Sequence, residues 1–177
     1  LNLKAVEIPT DPSSGIDLDE LEAAMDSPTP PRCLVVSPSF SNPTGALMSM
    51  EKRKRLVKLA SEGGLVLIED DTYGVLSYSD ELLRPLKALA PNEVIYMGSF
   101  SKILAPGYRL AWVAGGRYSV DIYRCFCIGV LSLPLATQRA MASYLKLGGV
   151  RQHFRRLRKK YHDTMRLFQH LVARYFP

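Results

Sequence analysis

A lysine beside two serines stands out among the reactive residues of this 177-residue chain. The segment GSFSK at residues 98–102 brings Lys102 shortly after an apolar run. A lysine is most often a solvated charge. Here the apolar Phe100, Ile103 and Leu104 predict partial desolvation, which favours the neutral, nucleophilic amine that Schiff-base chemistry needs. The glycine spacings of a P-loop and of a Rossmann site are both absent, so nucleotide cofactors of those types are not supported.

Acidic residues follow another apolar run, in the segment EDDTY at residues 69–73. Asp70 comes where a buried strand is predicted to emerge, and a carboxylate in such a place needs a cationic partner. A protonated pyridine nitrogen is one such partner, and a carboxylate that keeps it protonated makes the ring an electron sink. A helix cap or a salt bridge would account for the same residue equally well.

A third polar segment, SNPTG at residues 41–45, follows the first apolar run of the predicted sheet. Asn-Pro and Thr-Gly are turn dipeptides, so a structural turn is the simplest interpretation. The Asn42 amide would nevertheless lie at a strand end, where it could hydrogen-bond a ligand oxygen.

Four apolar runs alternate with helical segments and are predicted to be strands buried on both faces of a mostly parallel sheet. The runs are Cys33–Val36, Leu65–Ile68, Val94–Met97 and Arg109–Gly115. Ligands of such sheets bind beyond the carboxyl ends of the strands. Because the three polar segments follow three successive runs, the sequence predicts an α/β domain with a site at one sheet edge. A further strand is predicted over residues 1–8.

Helices are predicted from capping residues and apolar periodicity. Asp17 is expected to cap a short helix, and Ser49 a helix that ends near Glu62. Three more are predicted near residues 118–128, 134–147 and 150–175. The last carries an apolar stripe, which we interpret as core or inter-domain packing.

Basic charge is concentrated at one end of the chain. The whole chain has a net charge of +6, whereas residues 146–177 hold nine Lys or Arg and one acid, a net of +8. A solvated helix, or one that faces an acidic partner, is the favoured interpretation. Direct nucleic-acid contact is less well supported, because no aromatic interleaving or known reading motif accompanies the charge.

The composition, 47% hydrophobic and 23% charged, is that of one globular domain. No apolar run approaches the ~20 residues that span a bilayer, and no signal-peptide pattern opens the chain, so we expect a cytoplasmic protein away from membranes. The three cysteines are predicted to be small buried hydrophobes in a reducing compartment, because they lack the spacing of a zinc site, and no metal is expected. They are Cys33, Cys125 and Cys127.

The order SNPTG, EDDTY, GSFSK and then PGYR resembles the pyridoxal 5′-phosphate (PLP) enzymes of fold type I, and most closely the class I and II aminotransferases. The resemblance implies an α/β large domain with a mostly parallel sheet. It makes Lys102 the lysine that forms a Schiff base with PLP and shuttles the Cα proton. It pairs Asp70 with the pyridine nitrogen. Asn42 and Tyr73 would hydrogen-bond the phenolic oxygen and help set the proton affinity of the Schiff base.

The same resemblance assigns the phosphate of PLP to Ser99, Ser101 and Arg109, the arginine acting through its planar fork. It implies that residues 1–147 form a large domain incomplete at its N-terminal side. Residues 148–177 would be the long helix leading to an absent small domain. The ring-stacking aromatic and the arginine for the substrate carboxylate would lie outside the chain, so full activity would need further segments.

A narrower resemblance is to the MocR subgroup of GntR-type transcription regulators, which join a winged helix to an aminotransferase-like domain. It rests on GSFSKILAPGYRLAWV, GGVRQHFRRLRKKY and the Asp70-Asp71 doublet. It implies an effector-sensing domain for an amino acid or amine, a homodimer in the full-length protein, and DNA binding only through another domain. The lysine-to-arginine interval also fits aminoadipate- and kynurenine-type aminotransferases, which is the alternative function.

Overall fold

A computed structural model describes residues 3–79 and 84–176 of the chain. The first two strands, β1 (Thr10–Asp11) and β2 (Gly15–Ile16), form a small antiparallel hairpin. The strands of the main sheet are β3 (Cys33–Val36), β4 (Val66–Asp70), β5 (Val94–Ser99) and β6 (Ala111–Ala114). Their order is β3-β4-β5-β6, in which β3, β4 and β5 are parallel and β6 is antiparallel to β5. The predicted α/β, mostly parallel architecture is confirmed.

Six helices connect and follow the strands in the described residues: α1 (Leu18–Met25), α2 (Met50–Glu62), α3 (Leu86–Leu89), α4 (Ser119–Gly129), α5 (Leu135–Lys146) and α6 (Val150–Tyr175). Both predicted caps are confirmed. The Asp17 Oδ1 accepts from the backbone N–H groups of Asp19 and Glu20 at 2.9 and 3.2 Å. The Ser49 Oγ accepts from the N–H of Lys52 at 3.2 Å. In the part of the chain that is described, no helix is both long and apolar enough to cross a bilayer.

The hydrophobic core joins α1, α2 and α3 to one face of the sheet. Leu21, Leu56, Leu86 and Val94 have no exposed surface, and Leu67 retains 2%. The residues that alternate with these in β4 are only half-buried, and Val35 in β3 is 65% exposed. The prediction that both sheet faces are buried is therefore wrong for this chain, since only one face is fully covered.

The predicted strand at residues 1–8 is also wrong where it can be checked. Residues 1 and 2 lie outside the described part, and residues 3–9 form no strand. No strand of the described residues lies alongside them, and Leu3 and Val6 are 82% and 53% exposed. Neither hydrogen bonds to a neighbour nor burial therefore stabilises a strand here. An apolar pattern cannot form a strand without a neighbour to pair with.

Two further sequence predictions concern the burial of apolar side chains. The helix α6 forms where it was expected, but none of its residues is buried, and Phe168 is 60% exposed. Within the described residues its apolar stripe is therefore not part of the core, and the alternative of inter-domain packing stays a prediction. Cys33 and Cys125 are exposed and Cys127 is half-buried, so the cysteines are free thiols but not buried hydrophobes.

The core analysis gives a stability prediction. Leu56→Ala should lower the free energy of unfolding by about 2–5 kcal/mol, because it opens a cavity between α2 and the sheet. The control Leu167→Ala, at a side chain 58% exposed on α6, should change it by less than about 0.5 kcal/mol. Urea unfolding followed by circular dichroism measures both. Equal losses in the two variants would contradict this account of the core.

Candidate functional site

The strand register brings the three polar segments to one edge of the sheet. Val36 pairs with Glu69, and Asp70 with Met97, so the chain leaves β3, β4 and β5 at the same level. Ser99 pairs with Ala111 at the start of the antiparallel β6, which returns the segment before β6 to that edge. The seven predicted site residues all lie on or next to these strand ends: Asn42, Asp70, Tyr73, Ser99, Ser101, Lys102 and Arg109. The predicted site residues therefore share one sheet edge, and their role in binding stays a prediction.

Lys102 lies in a tight turn after β5. The backbone N–H of Phe100 donates to the Leu110 carbonyl at 3.1 Å, and the N–H of Leu104 donates to the Phe100 carbonyl at 2.9 Å. In this turn Ile103 takes the buried position, with 3% of its surface exposed, while Lys102 is exposed. The predicted partial desolvation of the Lys102 amine is therefore wrong for the described residues.

The apolar neighbours that suggested desolvation pack elsewhere. The Phe100 ring lies against Trp112 of β6, with ring centroids 4.7 Å apart, and Ile103 faces the interior. The lysine side chain therefore keeps part of its surface open to solvent and to an incoming carbonyl group. This arrangement presents a nucleophile at the sheet edge without enclosing it.

Asp70 is half-buried at the last position of β4. Its Oδ1 accepts from the backbone N–H of Thr72 at 3.1 Å and from the Thr72 hydroxyl at 2.6 Å. Among the described residues nothing donates to its other oxygen, Oδ2. These local bonds fix the carboxylate in an Asx turn and leave one oxygen for a ligand N–H group.

Asn42 and Tyr73 lie on the segments that follow β3 and β4. Asn42 is exposed at the tip of loop 37–48, which is closed by a bond from the Ser41 N–H to the Ala46 carbonyl at 3.1 Å. Tyr73 is half-buried and begins a single turn, in which the Leu76 N–H donates to its carbonyl at 2.8 Å. Both side chains are placed by short-range backbone bonds.

The predicted phosphate ligands surround the Lys102 turn. The Ser99 Oγ accepts from the Ser101 N–H at 3.1 Å, so both hydroxyls lie at the end of β5. Arg109 is exposed, and its backbone is left-handed with φ of 51°. Its guanidinium forms no ion pair with the described residues, so this group and the hydroxyls remain available for an anion.

Sequence reasoning missed a buried polar group directly behind the edge. Arg53 and Glu69 have no exposed surface, and Asp71 is half-buried with its Oδ1 enclosed. The spacing of residues in the sequence nevertheless indicated that Arg53 and Glu69 are buried. Arg53, Leu56 and Ala60 follow the three- and four-residue spacing of the buried stripe of α2, and Glu69 alternates with the buried Leu67 in β4.

Burial dominates the electrostatics of this group. It raises the pKa of Asp71, although a hydrogen bond from the Tyr96 hydroxyl to Oδ2 at 2.8 Å and the nearby Arg53 charge oppose the change. Ser39 also lowers the Asp71 pKa, but among the described residues no group makes a well-formed hydrogen bond to Oδ1. Burial, followed by the Asp71 charge, raises the pKa of Tyr96.

Glu69 is held by the start of α3. Its two carboxylate oxygens accept from the backbone N–H groups of Leu86 and Lys87, each at 2.8 Å. Burial raises its pKa, and these two bonds oppose that rise. Glu69 therefore joins β4 to the segment that precedes β5.

The long helix α6 contacts two of the loops at the sheet edge. The His153 Nε2 lies 2.7 Å from the carbonyl oxygen of Ile103, and the Arg158 Nε donates to the Val75 carbonyl at 2.7 Å. Ile103 directly follows Lys102, and Val75 is two residues beyond Tyr73. The first half of α6 is thus hydrogen-bonded to the two segments that carry Lys102 and Tyr73.

The family model "Aminotransferase class I and II" matches residues 2–176. The chain belongs to the class I and II aminotransferase family. It is 33% identical over its whole length to an uncharacterised HTH-type transcriptional regulator, YjiR of Escherichia coli K12, of which it covers 38%. It is 36% identical to a 2-aminoadipate transaminase of Thermus thermophilus, over 92% of this chain and 42% of that protein. The predicted family and aminotransferase-like character are confirmed.

A solved structure of an aminotransferase has the same fold. LysN, an α-aminoadipate aminotransferase from Thermus thermophilus crystallised with N-(5′-phosphopyridoxyl)-L-leucine, superposes with a TM-score of 0.89 at 35% identity. The match covers 96% of this chain and 44% of that one. The fold type I large domain is therefore confirmed. The chain spans about two-fifths of the length of these relatives.

The buried carboxyl group gives a pH prediction. Because the pKa of Asp71 is raised on folding, the unfolded chain ionises first, and stability is lost as pH rises from the ordinary value of 3.8 through the raised one. Asp71→Asn removes this loss, and its amide oxygen can still accept from Tyr96. The free energy of unfolding of the variant minus that of the wild type should therefore increase as pH rises from about 4.

Urea unfolding at a series of pH values between about 4 and 8 measures the difference. Asp26→Asn, at an exposed aspartate whose side chain forms no ion pair with the described residues, is the control and should show no such trend. A difference for Asp71→Asn that stays flat or falls with pH would refute the raised pKa.

Proposed function

We propose that the chain is a PLP-binding, aminotransferase-like domain, and that in the full protein it senses an effector as part of a MocR/GntR-type transcription regulator. The observation that carries the cofactor part is the convergence of three groups at one sheet edge: the Lys102 amine, the Asp70 carboxylate, and the Arg109 guanidinium with two hydroxyls. The second Asp70 oxygen accepts no hydrogen bond and the guanidinium forms no ion pair with the described residues. These groups match the aldehyde, the pyridine nitrogen and the phosphate of PLP in chemistry.

The fit can be stated residue by residue. The free Oδ2 of Asp70 would accept from the pyridine N–H and hold the proton there, because the anion stabilises the cationic ring. Ser99, Ser101 and Arg109 would bind the phosphate. When bound, PLP supplies an electron sink for bonds at an amino carbon.

The remaining site residues would orient the ligand and move protons. Asn42 and Tyr73 would donate to the phenolic oxygen of the ring and so set its orientation at the end of β3 and β4. Lys102 would attach the cofactor covalently, and its amine, once released, would hold or move the Cα proton of an amino ligand. Its exposure leaves it free to do both.

The regulator is our first proposal because the relative YjiR aligns over the whole chain. In this proposal residues 1–147 are the large domain and residues 148–177 lead to a small domain. The ligand is an amino acid or another amine, and the full-length protein is a homodimer. DNA is bound only through a separate domain. Free thiols at Cys33, Cys125 and Cys127 are consistent with a reducing cytoplasm.

A catalytic aminotransferase of the aminoadipate or kynurenine type is the second candidate. The superposition on LysN favours it, since that enzyme shares the fold over nearly the whole chain. It would move an amino group from an amino acid to a 2-oxo acid. Both candidates use the same residues at the cofactor.

One titration separates the candidates. The full protein is titrated with PLP and then with amino acids, followed by visible absorbance and by assay of released 2-oxo acid. Release of 2-oxo acid with formation of pyridoxamine phosphate would establish the transaminase. A spectral change without turnover would support the sensor. No PLP band at all would refute the cofactor assignment.

The lysine assignment is tested by Lys102→Ala. Because the amine is the attachment point, the variant should lose all borohydride-fixed PLP while its circular dichroism stays unchanged. The control Lys58→Ala, at a side chain 74% exposed on α2, should retain full labelling. Peptide mapping by mass spectrometry locates the adduct, and a retained adduct at another lysine would contradict the assignment.

The ring partner is tested by Asp70→Ala. Loss of a charge-assisted hydrogen bond to the pyridine nitrogen should weaken PLP binding about tenfold or more and slow proton abstraction from an amino ligand. Asp121→Ala, at an exposed position of α4, is the matched control. PLP affinity and proton abstraction that match the wild type would transfer the role to Asp71 or remove it.

A further inference from the structure

Arg53 is a charged side chain with no exposed surface, in the first half of α2. Its Nε donates to the Met48 carbonyl at 3.0 Å, and its Nη1 to the Arg84 carbonyl at 3.1 Å. Its Nη2 donates to the Pro38 carbonyl at 2.8 Å and to the Ser39 Oγ at 2.9 Å. All three guanidinium nitrogens thus donate hydrogen bonds, and three of the four acceptors are main-chain carbonyl oxygens.

Three of these four acceptors lie at the two ends of loop 37–48, the loop that carries Asn42. Pro38 and Ser39 begin the loop and Met48 ends it. The same ends meet through a bond from the Met48 N–H to the Pro38 carbonyl at 2.9 Å and a bridge between Ser39 and Leu47. We call this meeting point of residues 38–39 and 47–48 the neck of the loop, and Arg53 binds both of its sides.

Two nearby acids favour the charged form of the guanidinium. Burial alone would disfavour the charged arginine, and the charges of Glu69 and Asp71 oppose that effect. Both acids belong to the end of β4, next to Asp70. The arginine thus joins the two ends of the Asn42 loop and lies near the charges at the end of β4, where Asp70 is the proposed partner of the ring nitrogen.

A lysine could not reproduce these contacts. It is a single ammonium point charge on a flexible stem, whereas the four bonds of Arg53 leave three different nitrogens of a rigid plane in different directions. Arg53→Lys therefore keeps the buried charge but releases part of the neck.

We propose that Arg53 is a positioning residue for Asn42: it holds the neck of loop 37–48 so that the Asn42 amide is presented at the carboxyl edge of the sheet. This inference rests on the proposed function, in which Asn42 orients PLP. Arg53 itself, buried behind the edge, touches no ligand.

A double-mutant cycle on the full protein tests whether Arg53 acts through Asn42. The dissociation constant of PLP is measured by visible absorbance for the wild type, Arg53→Lys, Asn42→Ala and the double variant. Arg53→Lys should weaken binding about tenfold in the wild-type background, the size of one lost hydrogen bond to a charged group. In the Asn42→Ala background it should weaken binding by less than about twofold, because the interaction is already gone.

A second measurement needs no cofactor. Hydrogen exchange of the cofactor-free protein should be faster in Arg53→Lys at the amides of Ser41, Gly45 and Met48, which close the loop. Arg55→Lys is the matched control on the same helix. Its guanidinium pairs with Asp19 and Glu22 at the surface, and its exchange and PLP affinity should equal those of the wild type.

Ser39→Ala serves if Arg53→Lys does not fold. It removes the Oγ acceptor of the Arg53 Nη2, together with the influence of this hydroxyl on Asp71. It should show the same non-additivity with Asn42→Ala and the same faster exchange, each to a smaller degree. Additive effects in the cycle, or exchange that rises equally across the whole domain, would overturn the inference and leave the proposed function standing. A wild-type protein that binds no PLP would refute the proposed function instead, while the exchange data would still decide whether Arg53 holds the loop.

Discussion

Charges enclosed away from water constrain how the elements around the sheet edge can be arranged. An isolated ion transferred to a protein interior costs several kcal/mol unless hydrogen bonds and opposite charges replace its water. The guanidinium of Arg53 and the carboxylates of Glu69 and Asp71 meet this requirement only when α2, β4 and the start of α3 are in their native places. Each of these three charged groups lies next to a segment that carries a proposed site residue. The positions of the buried charges and of the site residues at the sheet edge therefore depend on one another.

Periodicity predicted most of the fold because the covered face of the sheet obeys it. The apolar runs became β3, β4, β5 and β6, and the caps at Asp17 and Ser49 start helices as their side chains require. Motif order predicted the family and the shared edge. These features depend on residues near one another in the chain, where sequence patterns are most informative.

The errors concern surfaces, which local patterns do not determine. The stripe of α6 is as periodic as that of α2, yet it is exposed because no described element covers it. Lys102 keeps part of its surface open because Ile103 occupies the interior side of the turn. Arg53 was missed because its residue type indicates solvent, while its position in the helical repeat indicates the core.

The sheet edge and the helix α6 form one mechanical unit. Side chains from α6 bind the carbonyl that follows Lys102 and the carbonyl two residues beyond Tyr73. A displacement of either loop must therefore carry the helix with it or break a hydrogen bond. Both candidate functions can use this connection, since an enzyme and a sensor each have to relate the state of the site to the rest of the protein.

Arg109 has a further consequence, which follows from its backbone. A left-handed conformation costs a residue with a side chain about 1 kcal/mol, and glycine avoids this cost. A glycine at this position would relax the turn and delete the guanidinium in the same step. Selection for folding stability and selection for anion binding thus favour different residues here. In a related sequence, a glycine at this position would indicate a domain with a less strained turn that lacks this anion-binding side chain.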